Sequence, residues 1–230
     1  MIIGINGYAG SGKDTVGTII QYLMCTHHNR NESLQDILKE PSYHEWWLED
    51  ESGWEIKKWA GKLKLIASIL TGIDESKFED QEFKKTDLTH QWDCNPPDKR
   101  GLGTIHKKPM TVRDFLQRLG TDAIRDGLHT NAWVNALMSD YKAIDYNDDE
   151  QPEYPNWIVT DTRFPNEAQA IKDAGGIVIR VDRPLVRPIN DHPSEVGLDD
   201  WKFDYKIANV SDIVSLSLTV LNILKQEKLL

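Results

Sequence analysis

Ile2-Ile3-Gly4-Ile5-Asn6 runs directly into Gly7-Tyr8-Ala9-Gly10-Ser11-Gly12-Lys13-Asp14-Thr15. The first five residues read as a short buried strand. From Lys13 to about Met24, Val16, Ile19, Ile20 and Leu23 recur at three- and four-residue spacing, the signature of an amphipathic helix. Between strand and helix, Gly7, four residues, Gly12 and Lys13 have the spacing of a phosphate-binding loop. Glycines let backbone N–H groups converge on an anion. The helix that follows points its positive end at the phosphates, and Lys13 adds a mobile charge for the transferred group. Gly7, Ala9, Gly10, Ser11, Gly12, Lys13, Asp14 and Thr15 are therefore candidate contacts for ATP. The common pattern ends in Ser or Thr where this chain has Asp14, and the Thr15 hydroxyl comes one place late. Asp14 reads either as a helix N-terminal acid favoured by the dipole or as an outer-shell group on Mg2+-bound water.

Outward from that loop, strand and helix patterns alternate. Further strands are expected at Glu55–Ala60, Trp157–Asp161, Ile177–Val181 and Lys206–Ala208. Helices are expected over Lys62–Thr71, from Thr111 (as cap) through Leu119, over Thr130–Ile144, over Asn166–Ala174, and from a Ser211 cap to the C-terminus. The alternation predicts an α/β fold. Its form is the three-layer α/β/α arrangement of P-loop NTPases, with a mostly parallel five-stranded sheet whose strand ends make the ligand crevice. One domain over 1–230 is expected, with 26–55 and 84–110 as insertions or mobile loops and 182–204 as a Pro-rich, loop-like segment, which the resemblance given below makes lid-like.

The 27 Lys and Arg against 37 Asp and Glu leave a net charge of −10, which argues against a dedicated duplex-binding protein. A nucleotide substrate is still compatible, through local Arg and Lys clusters. The 2 cysteines, Cys25 and Cys94, make neither a disulfide framework nor a zinc site. The run Ile213–Leu224 is too short and too polar to span a bilayer, and no signal peptide is evident. These readings point to a cytoplasmic protein. Trp46, Trp47, Trp54 and Trp59 interleave with acids rather than bases, unlike a platform for single-stranded nucleic acid. They are expected to pack the insertion or to form an oligomer contact such as a homodimer.

The loop ending Gly-Lys-Asp-Thr resembles that of phage-type deoxynucleoside monophosphate kinases. So do Ala60–Lys64, the stretch Thr111-Val112-Arg113-Asp114-Phe115-Leu116-Gln117-Arg118-Leu119-Gly120-Thr121-Asp122, the stretch Thr160-Asp161-Thr162-Arg163-Phe164-Pro165-Asn166-Glu167-Ala168, and His192-Pro193-Ser194-Glu195. The resemblance implies ATP and Mg2+ as cofactors and small nucleotide substrates, and, were the chain viral, the host cytoplasm. It places Asp161 at the metal, through water or directly; an acid after a strand also serves as a turn cap. Arg163 would hold the acceptor phosphate or the transferred group, or else form a surface ion pair. Lys64, Arg113, Thr121, Arg125 and Trp133 fall in the monophosphate-binding part, although Trp133 also suits a core and Arg118 is turned to the surface. Arg183 and Arg187 look like lid arginines that would join Lys13 and Arg163 in neutralising the transferred phosphoryl; Arg180, inside a strand, reads as structural. No chemistry requires His192, Ser194 or Glu195.

Animal-type phosphomevalonate kinases share the Ser-Gly-Lys-Asp ending, carry a Ser-Asp-Thr-Arg stretch similar to Thr160-Asp161-Thr162-Arg163, and have a counterpart of Val196-Gly197-Leu198-Asp199, so that acceptor is an alternative. An ATPase or switch module is another. The absence of an Asn-Lys-x-Asp guanine-reading motif weighs against a GTPase.

Overall fold

Successive side chains of a strand point to opposite faces of its sheet, so Ile3 and Ile5 face one way and Gly4 the other. Ile3 and Ile5 join Val16, Ile19 and Ile20 in one apolar core, while a Cβ on Gly4 would sit 2.4 Å from Cδ1 of Ile171. The first strand is thus the middle layer of three. The computed structural model describes residues 1–25, 33–93, 108–146, 149–188 and 193–230. Cys94, His192 and parts of the 26–55, 84–110 and 182–204 segments lie outside the described residues.

The strands are β1 (Ile2–Asn6), β2 (Trp54–Lys57), β3 (Asp145–Tyr146), β4 (Pro152–Glu153), β5 (Asn156–Val159), β6 (Ile177–Asp182) and β7 (Tyr205–Ala208). The helices are α1 (Lys13–Met24), α2 (Leu34–Ile37), α3 (Pro41–Ser52), α4 (Gly61–Thr71), α5 (Val112–Gln117), α6 (Ala132–Met138), α7 (Pro165–Asp173), α8 (Pro193–Val196) and α9 (Ile213–Gln226). The chain divides into two compact units, one of residues 1–59 and 137–230, the other of residues 60–136.

The larger unit holds the five-stranded sheet, ordered β2-β5-β1-β6-β7 and parallel at every pairing. This is the expected α/β fold. Ile3 pairs with Ile158 on one side and Ile177 on the other, so β1 is central and its C-terminal end opens onto the loop. On one face, α1 and α9 bury Val16, Ile19, Ile20, Leu216, Val220, Ile223 and Leu224. On the other, α7 covers β1 and β6 through Ala168 and Ile171. A small cluster of Cys25, Ile37, Trp47 and Leu48 seats α3 beside the end of α1. Trp47, Trp54 and Trp59 are buried and Trp46 is 69% exposed.

The smaller unit is built on Phe78, fully buried among Ala67, Leu88, Val112 and Phe115. The Thr111 hydroxyl accepts the N–H of Asp114 at 3.0 Å and caps α5 as expected. The helix then widens into a π-helical stretch, Arg118–Asp126, which the sequence pattern did not foretell.

Two expectations need correction. The helix read over Thr130–Ile144 is confined to α6, because Tyr141 turns away to stack on Tyr154 and to meet Trp157 edge-on, at 5.2 and 4.8 Å between centroids. The cap of α9 is Asp212 rather than Ser211: the Asp212 carboxylate accepts the N–H of Ser215 at 2.8 Å, which also lowers its pKa.

Candidate active site

Two glycines give the loop between β1 and α1 its shape. Gly12 has φ 100, a left-handed conformation that side chains disfavour, and a Cβ there would lie 2.6 Å from Nδ2 of Asn209. At Gly7 a Cβ would lie 2.4 Å from both the Val181 carbonyl and Ser11 Oγ. No side chain caps α1, so its N-terminal N–H groups are presented at the loop. Lys13 folds back and donates to the Tyr8 carbonyl at 2.9 Å, the same oxygen that accepts Ser11 N–H at 3.0 Å. Ser11 Oγ is buried and makes no hydrogen bond among the described residues. Asn209, after β7, donates to the Ser11 carbonyl at 2.9 Å. The peptide is planar and trans, so holding that carbonyl outward turns the Gly12 N–H the opposite way.

The carboxyl end of β5 supplies the opposing charges. Asp161 is buried and its Oδ1 accepts the Trp59 N–H at 2.8 Å. Asp14 is exposed at the start of α1, accepts the Thr160 hydroxyl at 2.9 Å and has Lys58 Nζ at 3.8 Å. Arg163 follows two residues after Asp161, with its Nη1 3.5 Å from Glu195. Its backbone N–H and that of Phe164 both donate to the buried Glu167 carboxylate, at 2.8 and 3.0 Å, which fixes the turn into α7. Burial and, after it, the field of Arg163 lower the Lys13 pKa to about 8, against the opposing pull of Asp14, Asp161 and Glu195. Lys13, Asp14, Asp161 and Arg163 are thus gathered at the carboxyl end of the sheet.

The lid candidates are placed differently. Arg183 donates to the Gly10 carbonyl at 3.5 Å, whereas Arg187 is exposed and donates to the carbonyl of its neighbour Val186. Arg180, read as structural from its strand position, packs behind the loop. It is buried, with Nη1 2.6 Å from Asn6 Oδ1 and Nε 2.8 Å from Asp182.

The remaining candidates all lie in the smaller unit. Lys64 is buried and paired with Glu79. Arg113 Nη2 donates to Gln81 at 3.2 Å. Arg125 is buried in the π-helical stretch and Thr121 is half-buried there. Trp133 is buried, and its indole N–H donates to the Gly120 carbonyl at 2.8 Å. Arg118 is exposed.

A phosphate loop faced by an acid and an arginine from the next strand is common to many kinases, so similarity to known proteins decides the branch. The family described as deoxynucleotide monophosphate kinase matches residues 74–220. The chain belongs to the deoxynucleotide monophosphate kinase family. A protein of Acanthamoeba polyphaga mimivirus, provisionally named for that activity, is 30% identical over 220 residues, covering 91% of this chain and 88% of its own. The deoxynucleoside-5'-monophosphate kinase of Escherichia phage T5 is 26% identical over 256 residues, covering 96% and 95%. The deoxynucleotide monophosphate kinase of Enterobacteria phage T4 is 34% identical over 115 residues, about half of each chain, at 50% and 46%. Of the two branches that the motifs left open, this one holds the chain.

In this kinase, sequence reasoning missed Asn209, Thr160 and Asp199. Asn209 has no local signal, and Thr160 and Asp199 stand within the motif stretches quoted above without a role assigned to them. Asn209 reaches the loop from 198 positions beyond Ser11, and only the parallel order β1-β6-β7 brings it there.

Proposed function

We propose that this kinase transfers the γ-phosphoryl of ATP to the phosphate of a deoxynucleoside monophosphate, giving the diphosphate and ADP. The observation that carries the reading is the convergence of Lys13, Arg163 and Asp161 on a loop whose N–H groups no side chain caps. The acceptor oxygen is already anionic, so the chain needs no strong general base. Its task is alignment and charge stabilisation. The loop and the start of α1 hold the ATP phosphates. Lys13 leaves the Tyr8 carbonyl for the transferred group, and Arg163 meets the charge that spreads over it. Arg183, next to Gly10, and Arg187 are the arginines that would close over the phosphates.

The donor set suits Mg2+ brought in with the nucleotide. Among the described residues no group of three or more His, Cys, Asp or Glu could hold a metal ion by itself, but a buried and an exposed carboxylate stand beside the phosphate loop. Mg2+ binds through one or two carboxylates together with substrate phosphates and retained waters. Asp161 is the direct or water-bridged partner and Asp14 the outer one. When bound, the ion would offset phosphate charge.

Lys64, Arg113, Thr121, Arg125 and Trp133 are assigned to the acceptor, whose dianionic phosphate suits a planar, permanently charged guanidinium. Two of the named relatives belong to bacteriophages and one to mimivirus. That supports a host-cytoplasmic enzyme of small nucleotides. Among the described residues no helix is long and apolar enough to cross a membrane.

The test is incubation with ATP, Mg2+ and each deoxynucleoside monophosphate in turn, with phosphomevalonate in parallel and Lys13→Ala as the control for contaminating kinases. Diphosphate from one or more nucleotides, absent in the variant, is the expected result. Product from phosphomevalonate alone, or ADP release without an acceptor product, refutes the proposed acceptor.

A further inference from the structure

Residues 193–195 belong to a stretch that resembles deoxynucleoside monophosphate kinases and residues 196–199 have a counterpart in phosphomevalonate kinases, yet the reaction as derived uses none of them. In the structure this segment touches the phosphate site at Arg163 and at Tyr8. The Glu195 side chain is only 5% exposed and lies 3.5 Å from Nη1 of Arg163. Gly197 packs on the backbone of the same arginine, where a Cβ would lie 3.0 Å from the Arg163 carbonyl. Asp199 accepts the Tyr8 phenol, 2.9 Å from each carboxylate oxygen, and its Oδ1 is 3.3 Å from Nη1 of Arg180. The Arg180 guanidinium in turn lies 4.5 Å from the centre of the Tyr8 ring.

We propose that Glu195 and Asp199 are positioning residues for phosphoryl transfer, Glu195 aiming Arg163 and Asp199 holding the phosphate loop in its binding shape through Tyr8. The inference rests on the ATP reading above. Tyr8 lies inside the loop, and its carbonyl is the oxygen that Lys13 and the Ser11 N–H share. Fixing the Tyr8 ring at its hydroxyl and over its face therefore fixes the backbone that parks the catalytic lysine. A loop already held in place loses less freedom when ATP binds. Glu195 acts on the other partner. The Glu195 carboxylate attracts the half-exposed Arg163 guanidinium beside it, and it offsets the repulsion between Arg163 and Lys13. Seven residues thus set both the loop and the arginine that faces it.

The experiment is equilibrium binding of a fluorescent ATP analogue with Mg2+ to the full chain, paired with steady-state kinetics. Tyr8→Phe and Asp199→Ala should each weaken ATP binding by about five- to tenfold, the net worth of one typical hydrogen bond, with the acceptor KM unchanged. The double variant should bind as weakly as either single one. Asp199→Asn still accepts the phenol and should recover most of the affinity. Glu195→Gln should leave ATP binding intact and lower kcat by about tenfold. ATP binding unaffected in Tyr8→Phe, additive losses in the double variant, or an equal rise in acceptor KM would overturn the proposal while the wild type still binds ATP. A wild type that binds no ATP would instead remove the phosphate-loop reading and this proposal with it.

Discussion

Replacing Lys13 by methionine should abolish turnover and yet stabilise the ligand-free protein. Lys13 is held charged in a mostly buried place, beside Arg163, and its pKa falls from an ordinary 10.5 to about 8. The difference between those two values, at 1.36 kcal/mol per pH unit, makes the charged lysine a cost of about 3 kcal/mol to the folded state below pH 8. The hydrogen bond to the Tyr8 carbonyl returns about 1 kcal/mol of this. Methionine keeps the length of the stem and removes the charge, so the variant should gain about 2 kcal/mol at pH 7. That corresponds to a melting temperature higher by roughly 4–8 °C. The pH dependence has a definite sign. Between pH 8 and 10.5 the native lysine loses its proton before the unfolded one does, so the wild type gains stability as the pH rises and the gap to the variant closes. Thermal unfolding of both proteins without ligand, at pH 7 and pH 10, measures it. A variant less stable than the wild type at pH 7, or a gap that does not shrink by pH 10, would refute the reasoning. Saturating ATP with Mg2+ should reverse the order, because only the wild type can couple that charge to phosphate.

Asp161→Asn should lower kcat by at least about 100-fold while the Trp59 N–H keeps an acceptor; turnover titrated with Mg2+ against ATP binding without it separates the two effects. Glu167→Ala leaves the Arg163 and Phe164 N–H groups without their carboxylate, and should cost about 2–4 kcal/mol in urea unfolding together with a fall in kcat as Arg163 loses its turn. Phe78→Ala empties the centre of the smaller unit and should cost about 3–5 kcal/mol; calorimetry should show that loss, and ATP-analogue binding to the larger unit should outlast it.

How far the chain could be read without coordinates follows from the range of each interaction. The loop from Gly7 to Thr15 was legible because its function is local: three glycines, a lysine, a strand before and a helix after are set by neighbours in the chain. The strands were legible too, since β1, β5 and β6 are buried nearly throughout and read as short apolar runs. Periodicity misled where a partner from elsewhere took the side chain. Tyr141 has helical spacing but is claimed by Tyr154 and Trp157. The widening of α5 into a π-helical stretch likewise has no local signal.

For the site, residue types and motifs nominated Lys13, Asp161 and Arg163, and tertiary structure set their electrostatics. The lowered pKa of Lys13 arises from burial and from an arginine 150 positions away, and neither quantity exists along the chain. The roles of Asn209, Glu195 and Asp199 have the same origin. A carboxylate acquires a task only when folding carries it to within 3 or 4 Å of a partner, and parallel strand order, rather than sequence neighbourhood, decides which partner that is.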